Sequence, residues 1–96
     1  MSLSEAQNAI ATMFIMLEMN DVKHFLSDSD VRYVTGELRH KKYCFSQKID
    51  SDPTIYTLTV DDDIRIISRD PKAIVNGIKL LMKNKYAIIP KSICQT

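Results

Sequence analysis

Glycine, cysteine and tryptophan are scarce in this sequence of 96 residues, which has two glycines, two cysteines and no tryptophan. Gly36 and Gly77 stand alone. They exclude a phosphate-binding P-loop and a dinucleotide fingerprint, because both motifs need several closely spaced glycines. Cys44 and Cys94 are too few for a disulfide framework and form no Cys-x-x-Cys pair. These absences favour a reducing, cytoplasmic location.

A long hydrophobic run is also missing. The longest dense apolar stretch, residues 11–19, is too short to cross about 30 Å of hydrocarbon. Residues 1–5 lack the basic region of a signal peptide. We therefore expect neither a membrane span nor a membrane partner.

The charges are unevenly distributed along a chain whose net charge is +1. Residues 1–30 and 49–70 each sum to −4, whereas residues 31–48 sum to +4 and residues 71–96 to +5. Such asymmetry indicates either an anionic partner for the positive segments or an ordinary solvated surface. The same two interpretations, an anionic partner or a solvated surface, apply to the lysines of the last predicted helix: Lys72, Lys79, Lys83 and Lys85. With 45% hydrophobic and 26% charged residues, we expect one globular domain over residues 1–96.

Apolar spacings of three and four predict a first helix over about residues 4–19, capped by Ser2 or Ser4. Its apolar stripe is wider than one face, because three large apolar residues are consecutive: Phe14, Ile15 and Met16. The helix is therefore either buried on two sides or shared with a partner subunit.

Two further helices are predicted before residue 42. A short one carries Val22, Phe25 and Leu26, and the polar run 27–30 provides a turn and an N-cap. The next helix runs from about residue 30 to residue 41. Its buried stripe is formed by Val31, Val34 and Leu38.

The pattern then changes to extended structure. Asp70 and Pro71 are a strong signal for the start of a last helix that ends near Asn84. The remaining predicted segments are a strand at 43–49, a turn at 50–53, a strand at 55–60, a turn at 61–63, a third strand at 64–67 and a short terminal strand at 86–89.

Two segments resemble the winged helix-turn-helix transcription regulators of the multiple-antibiotic-resistance type. Residues 29–38 resemble the recognition-helix pattern S-T-V-x-R-L-V-x-x-L, and residues 56–59 are similar to the Y-x-L-T of the returning wing strand. The resemblance implies an α+β, winged-helix-like fold, in which helices precede a β-ribbon or three-stranded meander and a C-terminal helix. It also implies a DNA-binding transcription regulator that forms homodimers, here through the first and last helices.

The implied recognition helix covers about residues 30–41 and would lie in the major groove of double-stranded DNA. Gly36 would allow close approach to the DNA. The side chains that could donate hydrogen bonds to base edges and phosphates are Arg32, Tyr33, Thr35, Arg39, His40, Lys41, Lys42 and Lys48.

A competing hypothesis is a non-catalytic protein-binding module, such as a phage or plasmid accessory protein that docks onto a host enzyme or polymerase. Asp50 and Asp52 favour it, because acidic residues in a wing loop repel phosphate. No catalytic residues, metal ligands or cofactor are expected: the aspartates are typical of turns, and the only soft ligand candidates are His24, His40, Cys44 and Cys94.

Overall fold

The computed structural model describes residues 5–49 and 53–93, with side chains described as far as residue 91. The predicted caps Ser2 and Ser4, the turn residues 50–52 and Cys94 lie outside this part of the chain. The elements, in chain order, are α1 (Glu5–Met16), β1 (Asn20–Leu26), β2 (Val31–Leu38), β3 (Lys41–Lys48), β4 (Ile55–Val60), β5 (Asp63–Ser68), α2 (Pro71–Lys83) and β6 (Ser92–Ile93).

Strands β1 to β5 form an antiparallel meander in which every strand pairs with the next one in the chain, and β6 pairs with β5 in parallel. Two-residue turns, Arg39–His40 and Asp61–Asp62, connect β2 to β3 and β4 to β5. All four turn residues have positive φ, between 51° and 66°. This backbone matches the right-handed twist of a hairpin, although asparagine and glycine adopt it more readily.

Both helices pack on one side of the sheet, α1 on β1 to β3 and α2 on β4 and β5. Alternate strand residues point to this side, so that a single core forms between sheet and helices. Burying each large apolar side chain there stabilises the fold by about 1.5–3 kcal/mol. The apolar residues with no exposed surface are Ile10, Phe14, Val34, Phe45, Leu58, Ile74, Ile78 and Leu81.

Gln7 is the most buried polar residue of the described chain, at 2% exposure, and it fixes α1 to the sheet. Its Nε2 donates hydrogen bonds to the backbone carbonyl oxygens of Tyr33, at 3.1 Å, and Phe25, at 3.4 Å. A buried amide is stable only when it is hydrogen-bonded, so these contacts favour one position of the helix over β1 and β2.

The winged helix-turn-helix prediction is wrong, because strands β1 and β2 occupy the segments predicted to be the second and third helices. In the described residues the helices are α1 and α2, and no helix-turn-helix is present. Val34 and Leu38 explain the error. A separation of four residues places two side chains on one face in a helix and also in a strand. Val31, at an odd separation, lies on the opposite face of β2 and is only half-buried.

Other elements agree with the sequence analysis. Strand β4 has the predicted bounds, β3 and β5 lie within two residues of theirs, and α2 begins as expected. The Asp70 carboxylate caps α2 by accepting a hydrogen bond from the backbone N–H of Lys72 at 2.9 Å. The ribbon or three-stranded sheet is instead a five-stranded meander. The strand predicted at 86–89 is absent, and the short strand lies at Ser92–Ile93.

Candidate binding face

The face of the sheet opposite α1 and α2 is covered by no other element of the described chain, and we call it the open face. Its central row crosses the sheet in register and consists of Lys23, Thr35, Cys44, Thr59 and Ile64. The adjacent row consists of Phe25, Tyr33, Ser46, Thr57 and Ile67. Small hydroxyl and thiol side chains therefore occupy the centre, and larger side chains occupy both edges.

An aromatic pair lies at the β1 edge of the open face. The rings of Phe25 and Tyr33 are stacked, with centroids 5.1 Å apart and an interplanar angle of 25°. Phe25 is 47% exposed, and Tyr33 beside it is half-buried. The pair therefore presents aromatic surface to solvent beside Lys23, the next residue on the same face of β1.

The open face carries both lysines and acidic residues. Lys23, Lys42 and Lys48 are exposed, and Glu37 lies opposite Lys42 in the register of β2 and β3. Beyond Glu37, the ends of the strands are more acidic. There, Asp21 and Asp62 join Lys23, Lys42 and Cys44 in lining a shallow hollow of about 450 Å³. Lys23 and Lys42 thus share this hollow with acidic residues, whereas Lys48 is an open-face lysine that does not line it.

Cys44 occupies the middle of the open face and is half-buried. Burial raises the pKa of its thiol, a hydrogen bond with the Thr59 side chain lowers it less, and the Asp62 carboxylate raises it further. The thiolate is the nucleophilic form of cysteine, so this thiol is poorly activated.

We expect the thiol of Cys44 to react slowly with iodoacetamide in the folded protein. In a Cys94→Ser variant at pH 8, the rate should be several-fold below that of the same protein unfolded in urea, because less thiolate is present and access is restricted. Equal rates in the two states would show that the thiol is neither shielded nor perturbed.

Strand alternation separates the residues predicted to contact DNA. Tyr33, Thr35, Lys42 and Lys48 lie on the open face. Arg32 and Lys41 pair with residues on the helix side, where Arg32 lies opposite Leu26 and Gln47, and Lys41 lies opposite the buried Leu38. The two remaining residues, Arg39 and His40, form the β2–β3 turn.

The guanidinium of Arg39 is engaged within the protein, since it lies 3.8 Å from the centroid of the Tyr86 ring. Sequence analysis missed Lys23 and Phe25 because their segment was predicted to be helical. The available signal was the polar turn at 27–30, which also suits a hairpin that brings Phe25 beside Tyr33.

A second polar cluster lies on the helix side, in a cleft of about 220 Å³. The Arg65 side chain donates from Nε to the Ile89 carbonyl oxygen at 2.8 Å and from Nη1 to Asp63 at 2.9 Å. Hydrogen bonding to Arg65 lowers the pKa of Asp63, and burial raises the pKa of the nearby Tyr43. The bond to Ile89 holds that part of the chain against β5, and the bond to Asp63, within β5, orients the Arg65 side chain, so this cluster has a structural role.

Within residues 5–49 and 53–93, no three His, Cys, Asp or Glu side chains come together in a way that could hold a metal ion. Neither α1 nor α2 is long and apolar enough to cross a membrane. No known protein-family model matches this chain, and neither a curated protein nor a solved structure matches it.

Proposed function

We propose that this chain is a non-catalytic nucleic-acid-binding protein that holds a single strand on the open face of its sheet. The observation that supports this most directly is the solvent-exposed Phe25–Tyr33 pair. Proteins that bind single strands combine aromatic rings, on which bases stack, with basic side chains that follow the phosphates. On the open face Lys23 and Lys48 flank the pair, and the hydroxyl groups of Ser46 and Thr57 can bond base edges.

The shape of the face favours a single strand over the duplex expected from the sequence. Strands lie about 4.8 Å apart, so the five antiparallel strands span roughly 19 Å. The major groove is only about 12 Å wide and admits a helix or a two-stranded ribbon. Strands replace the predicted recognition helix, and a surface of this width contacts unpaired bases more readily than it enters a groove.

Fluorescence anisotropy with a labelled oligothymidylate, and with a duplex of the same length, tests the proposal. We expect Phe25→Ala to weaken single-strand binding by about ten-fold, the effect of losing one stacked base. Tyr86→Ala is the control, because Tyr86 is 69% exposed but lies away from the open face. This control variant should bind as tightly as the wild type.

The salt dependence of binding to the same oligonucleotide is an independent test, because it reports the contribution of the lysines. Each lost phosphate contact should reduce the slope of log affinity against log salt by about 0.7, so Lys23→Gln with Lys48→Gln should reduce it by about 1.4. Lys79→Gln with Lys83→Gln removes the same charge from α2 and should leave the slope unchanged. Unchanged single-strand affinity in the open-face variants, or no binding by the wild type, contradicts the proposal.

A protein-binding module is the second candidate, and one observation favours it. The centre of the open face carries no charge, and small side chains such as Thr35 and Thr59 lose little entropy on docking. Absence of salt-dependent binding to single strands would favour this candidate. The expected homodimer stays a prediction: Ile15 and Met16 of α1 are 63% and 62% exposed, and Phe14 belongs to the core.

A further inference from the structure

The outer side of α2 carries a line of lysines that the open face does not use. Lys72, Lys79 and Lys83 are exposed and are separated by seven and four residues, about two turns and one turn, so that they lie along one side of the helix. The buried side of α2 holds Ile74, Ile78 and Leu81, which directs the lysines away from the sheet. We call these three lysines the basic ridge.

Positive charge dominates this part of the surface. Residues 71–93 contain no aspartate or glutamate. The next lysine, Lys85, forms an exposed ion pair with Glu18 at 3.7 Å, and Glu18 is thereby a local counter-charge. The basic ridge itself lies on the opposite side of the molecule from the Phe25–Tyr33 pair, because α2 covers the other face of the sheet.

Two large apolar side chains beside the basic ridge are exposed to solvent. Leu80 and Met82 are 39% and 41% exposed on either side of the ridge. Tyr86 and Ile88, beyond the helix, lie elsewhere, against Arg39 and in the cleft beside Arg65. Leu80 also borders an apolar hollow of about 280 Å³ between α2 and the chain near Pro90. Single exposed apolar residues are ordinary, but a group beside a basic helix marks a docking surface.

We propose that the basic ridge and its apolar flanks dock this protein onto the surface of an anionic lipid bilayer. Each lysine close to such a surface strengthens binding roughly five-fold, and apolar side chains enter the boundary between headgroups and acyl chains. The flanking residues decide the choice of partner. Nucleic-acid phosphates would contact the lysines but would leave Leu80 and Met82 exposed to water. A partner helix requires a groove, whereas α2 presents a convex ridge.

A bilayer partner differs from the sequence expectation of no membrane partner. That expectation rested on the absence of a spanning segment, and binding here lies along the surface. The sequence pattern also placed residues 86–89 in a strand. In the structure they precede β6, and the side chains of Tyr86 and Ile88 are largely solvated.

Co-sedimentation with vesicles tests the proposal. One set is phosphatidylcholine alone, and the other contains one quarter phosphatidylglycerol. We expect at least ten-fold tighter binding to the anionic vesicles at low salt, with most of it lost at about 0.5 M salt because the charges are screened. Lys79→Gln with Lys83→Gln should reduce this binding about 25-fold, and Met82→Ser should reduce it several-fold.

Lys23→Gln with Lys48→Gln is the charge-matched control, and it should bind anionic vesicles as the wild type does. Thermal melts of all variants establish that they are folded. Equal binding to both kinds of vesicle, or full binding by the Lys79 and Lys83 variant, would overturn the proposal. Vesicle binding tests the basic ridge and oligonucleotide binding tests the open face, so the failure of one proposal leaves the other standing.

Discussion

Replacing Phe14 with alanine should lower the free energy of unfolding by roughly 3–5 kcal/mol, as measured by urea denaturation followed by circular dichroism. Phe14 has no exposed surface and lies where α1 meets β2. Its ring fills the space that Gly36 leaves open, so truncation creates a cavity that the rigid sheet cannot easily close. For a domain whose total stability is about 5–15 kcal/mol, this loss is a large fraction.

Ile15→Ala is the matched control for Phe14→Ala. Ile15 follows Phe14 on the same helix but is 63% exposed, so its truncation should change the free energy of unfolding by less than about 0.5 kcal/mol. Similar costs at the two positions would show that the Ile15 side of α1 is also covered, either within the chain or by a partner subunit.

Gly36→Val should destabilise the protein by roughly 1–3 kcal/mol through overpacking. A Cβ at position 36 would lie 3.0 Å from Met19 Sδ and 3.2 Å from Phe14 Cδ2. Valine adds two methyl groups to this crowded site, and the Phe14 ring must move away from its packed position. The absence of a side chain at Gly36 thus makes room for the Phe14 ring in the core. The sequence had instead suggested that Gly36 allows close approach to DNA.

Thr35→Val, one residue earlier in β2, controls for the general effect of valine on the strand. Thr35 points to the open face, is only partly buried and has the same branched shape as valine. We expect a change in the free energy of unfolding of less than about 0.5 kcal/mol. A Gly36→Val protein as stable as the wild type would mean that α1 does not pack closely over β2.

Elements whose signals are local could be predicted from the sequence. Asp70 and Pro71 determine the start of α2 through a cap and a fixed φ, and both effects involve only neighbouring residues. The β-branched segment Ile55–Val60 forms β4 for a similar reason. Such signals do not depend on the remainder of the fold.

The segment 22–38 could not be assigned in this way. Val34 and Leu38 suit both a helix and a strand, and the choice between them depends on pairing with β3 and on packing under α1. The same tertiary contacts determine the candidate site. Tyr33 was identified for another role, whereas its partner Phe25 was missed because the two residues are adjacent only across a hairpin.

The agreement between strand order and chain order affects how the protein folds. Every antiparallel pair joins neighbours in sequence, and two of the connections are two-residue turns. Short connections cost little loop-closure entropy, and sheets built from local pairings form faster than those that join distant segments. The five antiparallel strands of this sheet can therefore be added one after another in the order in which a ribosome releases them.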